Sequence, residues 1–333
     1  PVGVVAAISP FNFPLNLVAH KVAPAIAAGN SVVLKPATAT PLTALRLGEL
    51  LLEAGLPERV LNIIIGPGST VGNQLVSDDR VAMVTFNGSP PVGKHIMSRG
   101  GLKKYTMELG SNSATIVCED ADMDLAVERC VIGSYALSGQ VCISVQRIYV
   151  QQSIADEFIG KFVDATHKQV VGDPMQKDCD VGPMIDVNEA NRLEQWIQEA
   201  VQGGAELLTG GTRQGAIYQP TVLTNVSSAM KVVKDEVFGP VVSIIPFETV
   251  ADAIRMTDDS RYGLQAGIFT RNIDDAFQAI RKINVGGVII NDVPTYRADH
   301  MPYGGNKESG FGREGLKFAI EEMTNPKMVC FNL

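Results

Sequence analysis

Short apolar runs alternate with helical patterns along the first third of the chain. Short, mainly apolar runs at 31–35, 60–65 and 81–86 predict strands, and the stretches 40–55, 69–77 and 91–100 carry the apolar spacing of helices. Apolar strands of this length between helices are typical of a parallel sheet that is covered on both faces. The pattern predicts a doubly wound α/β fold with right-handed crossovers.

The same alternation continues beyond residue 115, with longer helices. It predicts helices at 121–139, 153–169 and 188–204, and strands at 146–150, 241–247, 266–270 and 286–291. The glycine-rich stretch 301–315 is typical of an ordered loop that lines a site. The chain is thus predicted to form two α/β domains.

Composition narrows the class of ligand. The chain has 333 residues, 45% of them hydrophobic, with a formal net charge of −8 and no run of Lys and Arg, so small molecules are favoured over nucleic acid or a membrane surface. Five cysteines lack CxxC spacing and four histidines lie far apart, which argues against a disulfide scaffold or a metal site and favours a reducing cytoplasm.

The first residues show neither a signal peptide nor a membrane span. The apolar run that begins the chain has no basic flank and is interrupted by Pro10 and Pro14. Because the chain opens inside a strand-like run, residues 2–8, with no leading turn or cap, we expect a preceding segment.

Cys142, in SGQVCIS (138–144), is the first candidate for chemistry. A lone cysteine among apolar neighbours is more often an inert core residue than a nucleophile. A nucleophilic role requires a base and a donor for the oxyanion. Asn12, held between Pro10 and Pro14, is either an oxyanion donor or an ordinary turn residue. Glu108 is either a general base or an exposed charge at a strand end.

Two further strings suit a nucleotide. In KDEVFGPVV (234–242), Glu236 would bind ribose hydroxyls and Phe238 would pack on a flat heterocycle, unless the string is simply a polar turn. Gly88 and Ser89 lie at a strand-to-helix turn, where N–H groups can face a phosphate. The turn does not match GxGxxG, so each string is weak evidence by itself.

Seven strings occur in order and together resemble the aldehyde dehydrogenase superfamily. They are SPFNFPL, the lysine of VVLKPA, FNGSPPVG, MELGS, SGQVCIS, DEVFGP and MPYGGNKESGFGREG. The resemblance implies oxidation of an aldehyde to the acid with NAD or NADP. It also implies an open α/β cofactor domain and an α/β catalytic domain, with the active site between them.

The resemblance assigns roles residue by residue. Cys142 matches the catalytic nucleophile, Asn12 and the Cys142 N–H match the oxyanion hole, and Glu108 matches the base that activates water. The residues expected to hold the coenzyme are Lys35, Thr38, Gly88, Ser89, Gly93, Glu236 and Phe238.

Three positions depart from the family pattern. Thr38 stands where NAD-preferring members often have a glutamate, so a barrier to the 2′-phosphate of NADP is absent and NADP acceptance is favoured. Pro90 and Pro91 remove N–H donors near the pyrophosphate, which predicts weaker coenzyme binding. Ser111 replaces the second glycine of the usual ELGG.

The family organisation implies a cofactor domain over 1–110, a catalytic domain over 111–318 and a return to an oligomerisation region over 319–333. A further N-terminal segment of about a hundred residues or more is expected, as is a homodimer or homotetramer.

Arg297, before MPYGG, lies in the stretch that lines the family's substrate mouth, where it would bind an anionic or hydroxylated tail unless it is a surface arginine. The strings resemble the lactaldehyde and phosphonoacetaldehyde dehydrogenase branch, so a small hydroxylated or anionic aldehyde is the expected substrate. Two alternatives stay open: a catalytically silent fragment, and a thiol esterase that needs no coenzyme.

Overall fold

The computed structural model describes residues 1–333, and residues 1–109 alternate between strands and helices. The elements in order are β1 Val4–Ile8, α1 Asn16–Ala27, β2 Ser31–Lys35, α2 Leu42–Glu53, β3 Leu61–Ile63, α3 Asn73–Ser77, β4 Val81–Asn87, α4 Pro90–Gly100 and β5 Lys104–Glu108. These five strands are parallel and lie in the order β5-β4-β1-β2-β3.

Strand β1 explains why the sheet is covered on both faces. Val5 and Ala7 point to the side packed by α1 and α2, and Ala6 and Ile8 point to the side packed by α3 and α4. Successive side chains of a strand alternate between faces, so a strand in a doubly covered sheet is apolar throughout. The mainly apolar runs of the sequence follow from this arrangement.

Residues 110–309 carry the second set of elements. In order they are β6 Ala114–Val117, α5 Met123–Tyr135, β7 Arg147–Gln151, α6 Ala155–His167, α7 Val187–Gln202, β8 Glu206–Thr209, β9 Arg213–Gln214, β10 Ile217–Tyr218, β11 Thr221–Thr224, α8 Lys231–Lys234, β12 Val241–Phe247, α9 Val250–Asp258, β13 Tyr262–Gly263, β14 Gln265–Phe269, α10 Ile273–Lys282, β15 Gly287–Ile290 and β16 Asn306–Lys307. The main sheet has the order β15-β14-β6-β7-β12-β11-β8, parallel except for β8.

The chain ends with β17 Gly310–Phe311 and α11 Leu316–Glu322. It divides into two compact units: the first comprises Pro1–Leu109, Ala298–Gly304 and Gly310–Leu333, and the second comprises Gly110–Arg297 and Gly305–Ser309. Residues 310–318, assigned from the sequence to the second domain, belong to the first unit because β17 pairs antiparallel with β5. The predicted two-domain α/β fold is confirmed.

The helix predicted over 121–139 is shorter than expected. It begins after Asp122, whose side chain accepts a hydrogen bond from the Leu125 N–H, and ends at Tyr135. Leu137, Ser138 and Gly139 follow with φ of 51°, 56° and 68°. An α-helix of L-residues requires negative φ, so the helix ends there despite its apolar sequence. None of the helices combines the length and apolar character of a membrane span.

Candidate active site

The candidate residues of the first unit lie at one edge of its sheet. Asn12 follows β1, Lys35 ends β2, Gly88 and Ser89 follow β4, and Glu108 ends β5. The carboxyl ends of parallel strands meet at the same edge, which is where open α/β sheets bind ligands. The fold thus gathers side chains that are up to 96 residues apart in the chain (108 − 12).

Glu108 is held at this edge by the neighbouring strand. Its carboxylate is 4% exposed, and its Oε2 accepts a hydrogen bond of 2.9 Å from Asn87 Nδ2. Its carbonyl accepts a second bond, of 3.0 Å, from the Gly88 N–H. Asn87 pairs directly with Glu108 in the parallel register, which explains both contacts. Asn87 was not identified from the sequence, because its partner lies 21 residues further along.

Beside this edge lies a cavity of about 460 Å³, between α3 and α4. Its lining residues are Ile8, Lys35, Gly68, Ser69, Gly72, Asn73, Phe86, Val92, His95 and Ile96. The Lys35 side chain is buried, and burial lowers its pKa. An ammonium has three donors, and one of them bonds the Pro36 carbonyl at 3.0 Å. The cavity therefore offers apolar walls and a buried cation, which suits an adenosine with a phosphate or ribose oxygen.

Other predicted coenzyme residues have local structural roles. Thr38 is exposed and its Oγ1 donates to the Gly66 carbonyl at 3.2 Å, at a position outside the cavity lining. A side chain on Gly88 would clash with the Phe86 ring, and one on Gly93 would clash with Leu109. Packing within the first unit thus accounts for both glycines.

Helix α4 begins with two prolines. Ser89 precedes it in an extended conformation and makes no capping hydrogen bond through its side chain, and Pro90 and Pro91 occupy the first two helical positions. Proline fits a helix start because its φ is already helical, but it has no N–H. The first turn of α4 therefore presents two fewer donors than an ordinary helix would.

Cys142 of the second unit follows a strained loop. Leu137 and Ser138, in left-handed conformations, lead into Gly139, on which a Cβ would clash with the Gly239 carbonyl oxygen. Only glycine allows this close approach of two backbones. The loop before Cys142 is thus packed directly on the turn that follows Glu236.

Exposure and pKa distinguish the cysteines. Cys142 is half-buried between the buried side chains of Val141 and Ile143. Burial raises the pKa of the Cys118 thiol to about 12 and raises that of Cys130 as well, so both are inert at neutral pH. Cys142 and Cys179 are half-buried and Cys330 is exposed, so accessibility separates Cys142 from Cys118 and Cys130.

Glu236 lies on the peptide between Gly110 and Ser111. Its Oε1 accepts from the Ser111 N–H at 2.9 Å, and its Oε2 lies where a side chain of Gly110 would stand. Burial of the carboxylate raises the pKa of Glu236 to about 7, against the opposing effects of the Ser111 hydrogen bond and two nearby arginines. Two residues on, Phe238 has a φ of 48°. Cys142 and Glu236 precede β7 and β12, which are adjacent and parallel.

Arg297 is half-buried and lies after β15. The segment before it contacts α5: a Cβ on Gly133 would meet Val145, Val293 and Thr295 within 3.4 Å. The structure therefore brings this segment alongside Val145, three residues after Cys142.

A buried ion pair in the first unit was missed from the sequence. Lys21 Nζ lies 3.0 Å from Glu314 Oε1 and 3.0 Å from Thr85 Oγ1, and His20 Nδ1 lies 3.2 Å from Glu314 Oε2. Burial alone would raise the pKa of Glu314, but the charge of Lys21 and the hydrogen bond of His20 lower it well below its ordinary value. Glu314 lies in the glycine-rich string 301–315, but 293 residues separate it from Lys21, so only the fold pairs them.

A larger cavity, of about 870 Å³, lies in the second unit and contains none of the predicted site residues. No group of three or more His, Cys, Asp or Glu side chains is placed to hold a metal ion.

The second unit carries an accessible thiol on a strained loop, and the first unit carries a buried carboxylate and an apolar cavity with a buried lysine. Comparison with known proteins identifies the class of enzyme. Residues 1–329 match the sequence model of the aldehyde dehydrogenase family. The chain belongs to this family, and the resemblance noted in the sequence is confirmed.

Two relatives and one solved structure show how similar the chain is to individual proteins. The chain is 54% identical over 333 residues to the 3-sulfolactaldehyde dehydrogenase of Priestia aryabhattai, covering all of this chain and 70% of that protein. It is 42% identical over 336 residues to the lactaldehyde dehydrogenase of Methanococcus maripaludis, covering all of this chain and 72% of that protein. The crystal structure of the glyceraldehyde-3-phosphate dehydrogenase GapN of Methanocaldococcus jannaschii, complexed with NADP, superposes with a TM-score of 0.95 at 43% identity, covering 98% of this chain and 72% of that one.

Proposed function

We propose that the chain oxidises a small 2-hydroxyaldehyde to the carboxylic acid with NADP or NAD, using Cys142 as the nucleophile. The observation that carries the proposal is the placement of Cys142, an accessible thiol on a loop of left-handed residues packed against the turn after Glu236. Strained backbone that is held by its surroundings is concentrated at functional sites.

The coenzyme would be held by the residues that the resemblance assigns to it. Lys35 would bind the adenosine ribose or its 2′-phosphate from the floor of the cavity, with Ser89 near the pyrophosphate and Thr38, Gly88 and Gly93 along the same edge. Glu236 would bind the ribose of the nicotinamide, with Phe238 beside it. When bound, the coenzyme supplies the acceptor for the hydride. The exposed Thr38 in place of an acid, and the NADP in the related structure, support NADP acceptance.

The residues of this chain would divide the remaining chemistry. The Cys142 thiolate attacks the aldehyde carbon, and the Asn12 amide and the Cys142 N–H stabilise the resulting alkoxide. After hydride loss leaves a thioester on Cys142, Glu108 takes a proton from water as the water attacks the thioester and releases the acid. An oxyanion donor is typically worth about 10²–10³-fold in rate. A positioned base is typically worth about 10²–10⁴-fold.

The names of the relatives suggest the substrate class. Lactaldehyde, 3-sulfolactaldehyde and glyceraldehyde 3-phosphate are three-carbon 2-hydroxyaldehydes, and two of them carry an anion on C3. A guanidinium binds a sulfonate or phosphate through two parallel hydrogen bonds. We therefore assign Arg297 to the anionic end of the substrate. A cytoplasmic location rests on the cysteine pattern, and a homodimer or homotetramer rests on the resemblance.

The test is coenzyme reduction with each of these three aldehydes, in NADP and in NAD. We expect turnover that Cys142→Ala abolishes. Arg297→Met should raise KM for the two anionic aldehydes by roughly 10- to 100-fold, the value of a charged hydrogen bond, and leave lactaldehyde nearly unchanged. Arg271→Met, at an exposed arginine, is the matched control. Hydrolysis of an aryl ester without coenzyme, in a chain that reduces none, would instead establish the thiol esterase.

A further inference from the structure

Gln146 is a buried amide between the Cys142 loop and β7. Its side chain, in a residue 1% exposed, accepts a hydrogen bond at Oε1 from the Val237 N–H, at 2.9 Å. Its Nε2 donates to the Ser111 carbonyl, at 3.2 Å. The main chain of Gln146 is fixed as well, because its N–H donates to the Ser113 carbonyl. One carboxamide thus joins two segments that are 126 residues apart (237 − 111).

Both of these segments hold Glu236. The Ser111 N–H donates to the Glu236 carboxylate, and the Ser111 carbonyl is the group that Gln146 binds. The Val237 N–H belongs to the peptide bond that directly follows Glu236. Gln146 therefore fixes both Ser111, which binds the Glu236 carboxylate, and the main chain that carries Glu236.

The turn after Glu236 would not keep its conformation unaided. Phe238 has a φ of 48°, in the left-handed region, where a residue with a side chain is strained. Val237, the residue before Phe238, is held at both of its main-chain polar groups. Gln146 accepts from its N–H, and Arg192 donates to its carbonyl at 2.7 Å. The Gln146 bond is therefore one of the two side-chain contacts that hold Val237 next to this strained residue and to Glu236.

We propose that Gln146 is a positioning residue for coenzyme binding, which holds the Glu236 carboxylate in place before the ribose diol of the nicotinamide nucleoside arrives. The inference rests on the proposed function, in which Glu236 binds that ribose. A binding residue that is already fixed loses less conformational freedom when the ligand binds. Removing the Gln146 side chain should therefore weaken coenzyme affinity even though Gln146 touches no ligand.

Two variants separate the two halves of the amide. Gln146→Met keeps the length of the side chain and removes both hydrogen bonds. Gln146→Glu keeps the acceptor for Val237 and loses the donor to Ser111. The matched control is Asn30→Leu in the first unit: Asn30 is 3% exposed, accepts from the Gly3 N–H, and donates to the carbonyls of Ala25 and Met323.

The measurement is the Kd of NADP by titration calorimetry, with KM for the aldehyde and the thermal midpoint beside it. We expect Gln146→Met to weaken NADP binding by about tenfold, the loss of roughly one or two net hydrogen bonds, and Gln146→Glu to weaken it at least as much, because its new carboxylate oxygen faces the Ser111 carbonyl. KM for the aldehyde should stay within about twofold at saturating coenzyme. Asn30→Leu should lower the thermal midpoint and leave the Kd unchanged.

Two outcomes would overturn the inference, and they are distinguishable. If Glu236→Ala weakens NADP binding but both Gln146 variants bind it as the wild type does, Gln146 is purely structural. If the wild type does not bind NADP or NAD, or Glu236→Ala binds them equally well, the proposed role of Glu236 fails and the inference fails with it. The Gln146→Glu variant retains half the contacts, so the test holds even if Gln146→Met does not fold.

Discussion

Replacing Lys21 by methionine removes one charge of the buried ion pair while keeping most of the apolar stem. Lys21 is fully buried and its Nζ lies 3.0 Å from the Glu314 carboxylate and 3.0 Å from Thr85 Oγ1. Glu314 is itself 2% exposed. The variant therefore leaves a carboxylate enclosed in protein without the ammonium that stabilises it.

The expected loss in the free energy of unfolding is large, because the charge of Glu314 stays buried away from water. Removing one partner of a buried pair typically costs about 3–5 kcal/mol, most of it from the charge left behind. The matched control is Lys161→Met, which breaks a pair of 2.7 Å with Asp124 whose side chains are 41% and 86% exposed. Water and salt screen that pair, so its loss should be far smaller.

The assay is urea unfolding of both variants at about pH 8 and about pH 5, read as the free energy of unfolding. In the folded wild type the pKa of Glu314 is lowered, so its stabilisation is present above the ordinary carboxyl pKa and is lost as pH falls through the lowered value. Without Lys21 the buried carboxylate takes up a proton more readily. The deficit of Lys21→Met should therefore be smaller at the lower pH.

A second substitution makes the reasoning refutable. Lys21→Met combined with Glu314→Gln removes both charges, so it should recover much of the stability lost by Lys21→Met alone. Stability of the double variant at or below that of Lys21→Met, or a single-variant loss no larger than that of Lys161→Met, would refute the account of the pair.

Three further results are expected. Gly139→Ala should lower the free energy of unfolding by more than about 1 kcal/mol, because its φ is 68° and its Cβ would meet the Gly239 carbonyl, whereas Gly172→Ala, with open space around it, should not. Thermal or urea unfolding of the two variants checks this. Coenzyme affinity, measured by calorimetry, should fall as pH drops below about 7, because the raised pKa of Glu236 leaves its carboxyl protonated there. The same raised pKa means that the contribution of Glu236 to folding stability is lost as pH rises from about 4.5 to about 7. A flat affinity profile, or an equal slope in Glu236→Gln, would contradict this. Iodoacetamide should modify Cys142 well before the two buried thiols whose pKa is raised, as peptide mass spectrometry would show; equal rates would argue against its accessibility.

The regular elements were predictable where a strand is buried on both faces. The runs 31–35 and 241–247 coincide with β2 and β12, because most positions of a strand that is covered on both faces are apolar. Helix α1 was not predicted, since it contains Pro24 and follows a proline-rich string. Helix α5 was predicted too long because the left-handed Leu137 and Ser138 carry no local signal: neither residue type favours that conformation.

Some residues of the candidate site could likewise be identified from the sequence, and others could not. Strings such as SGQVCIS and DEVFGP are continuous, so Cys142 and Glu236 were identifiable from sequence. Asn87, Glu314 and Gln146 were not, because each acts on a partner from a distant segment, and a buried polar residue cannot be distinguished from an exposed one by spacing alone.

The left-handed residues before Cys142 also bear on engineering for thermostability. Leu137 and Ser138 each hold a backbone conformation that costs of order 1–3 kcal/mol for a residue with a side chain, and Leu137 is largely exposed at 44%. Leu137→Gly or Leu137→Asn would relieve that cost with little loss of packing. Such a gain in heat resistance would make the proposed nucleophile, Cys142, more mobile, so thermostability and turnover place opposite demands on this loop.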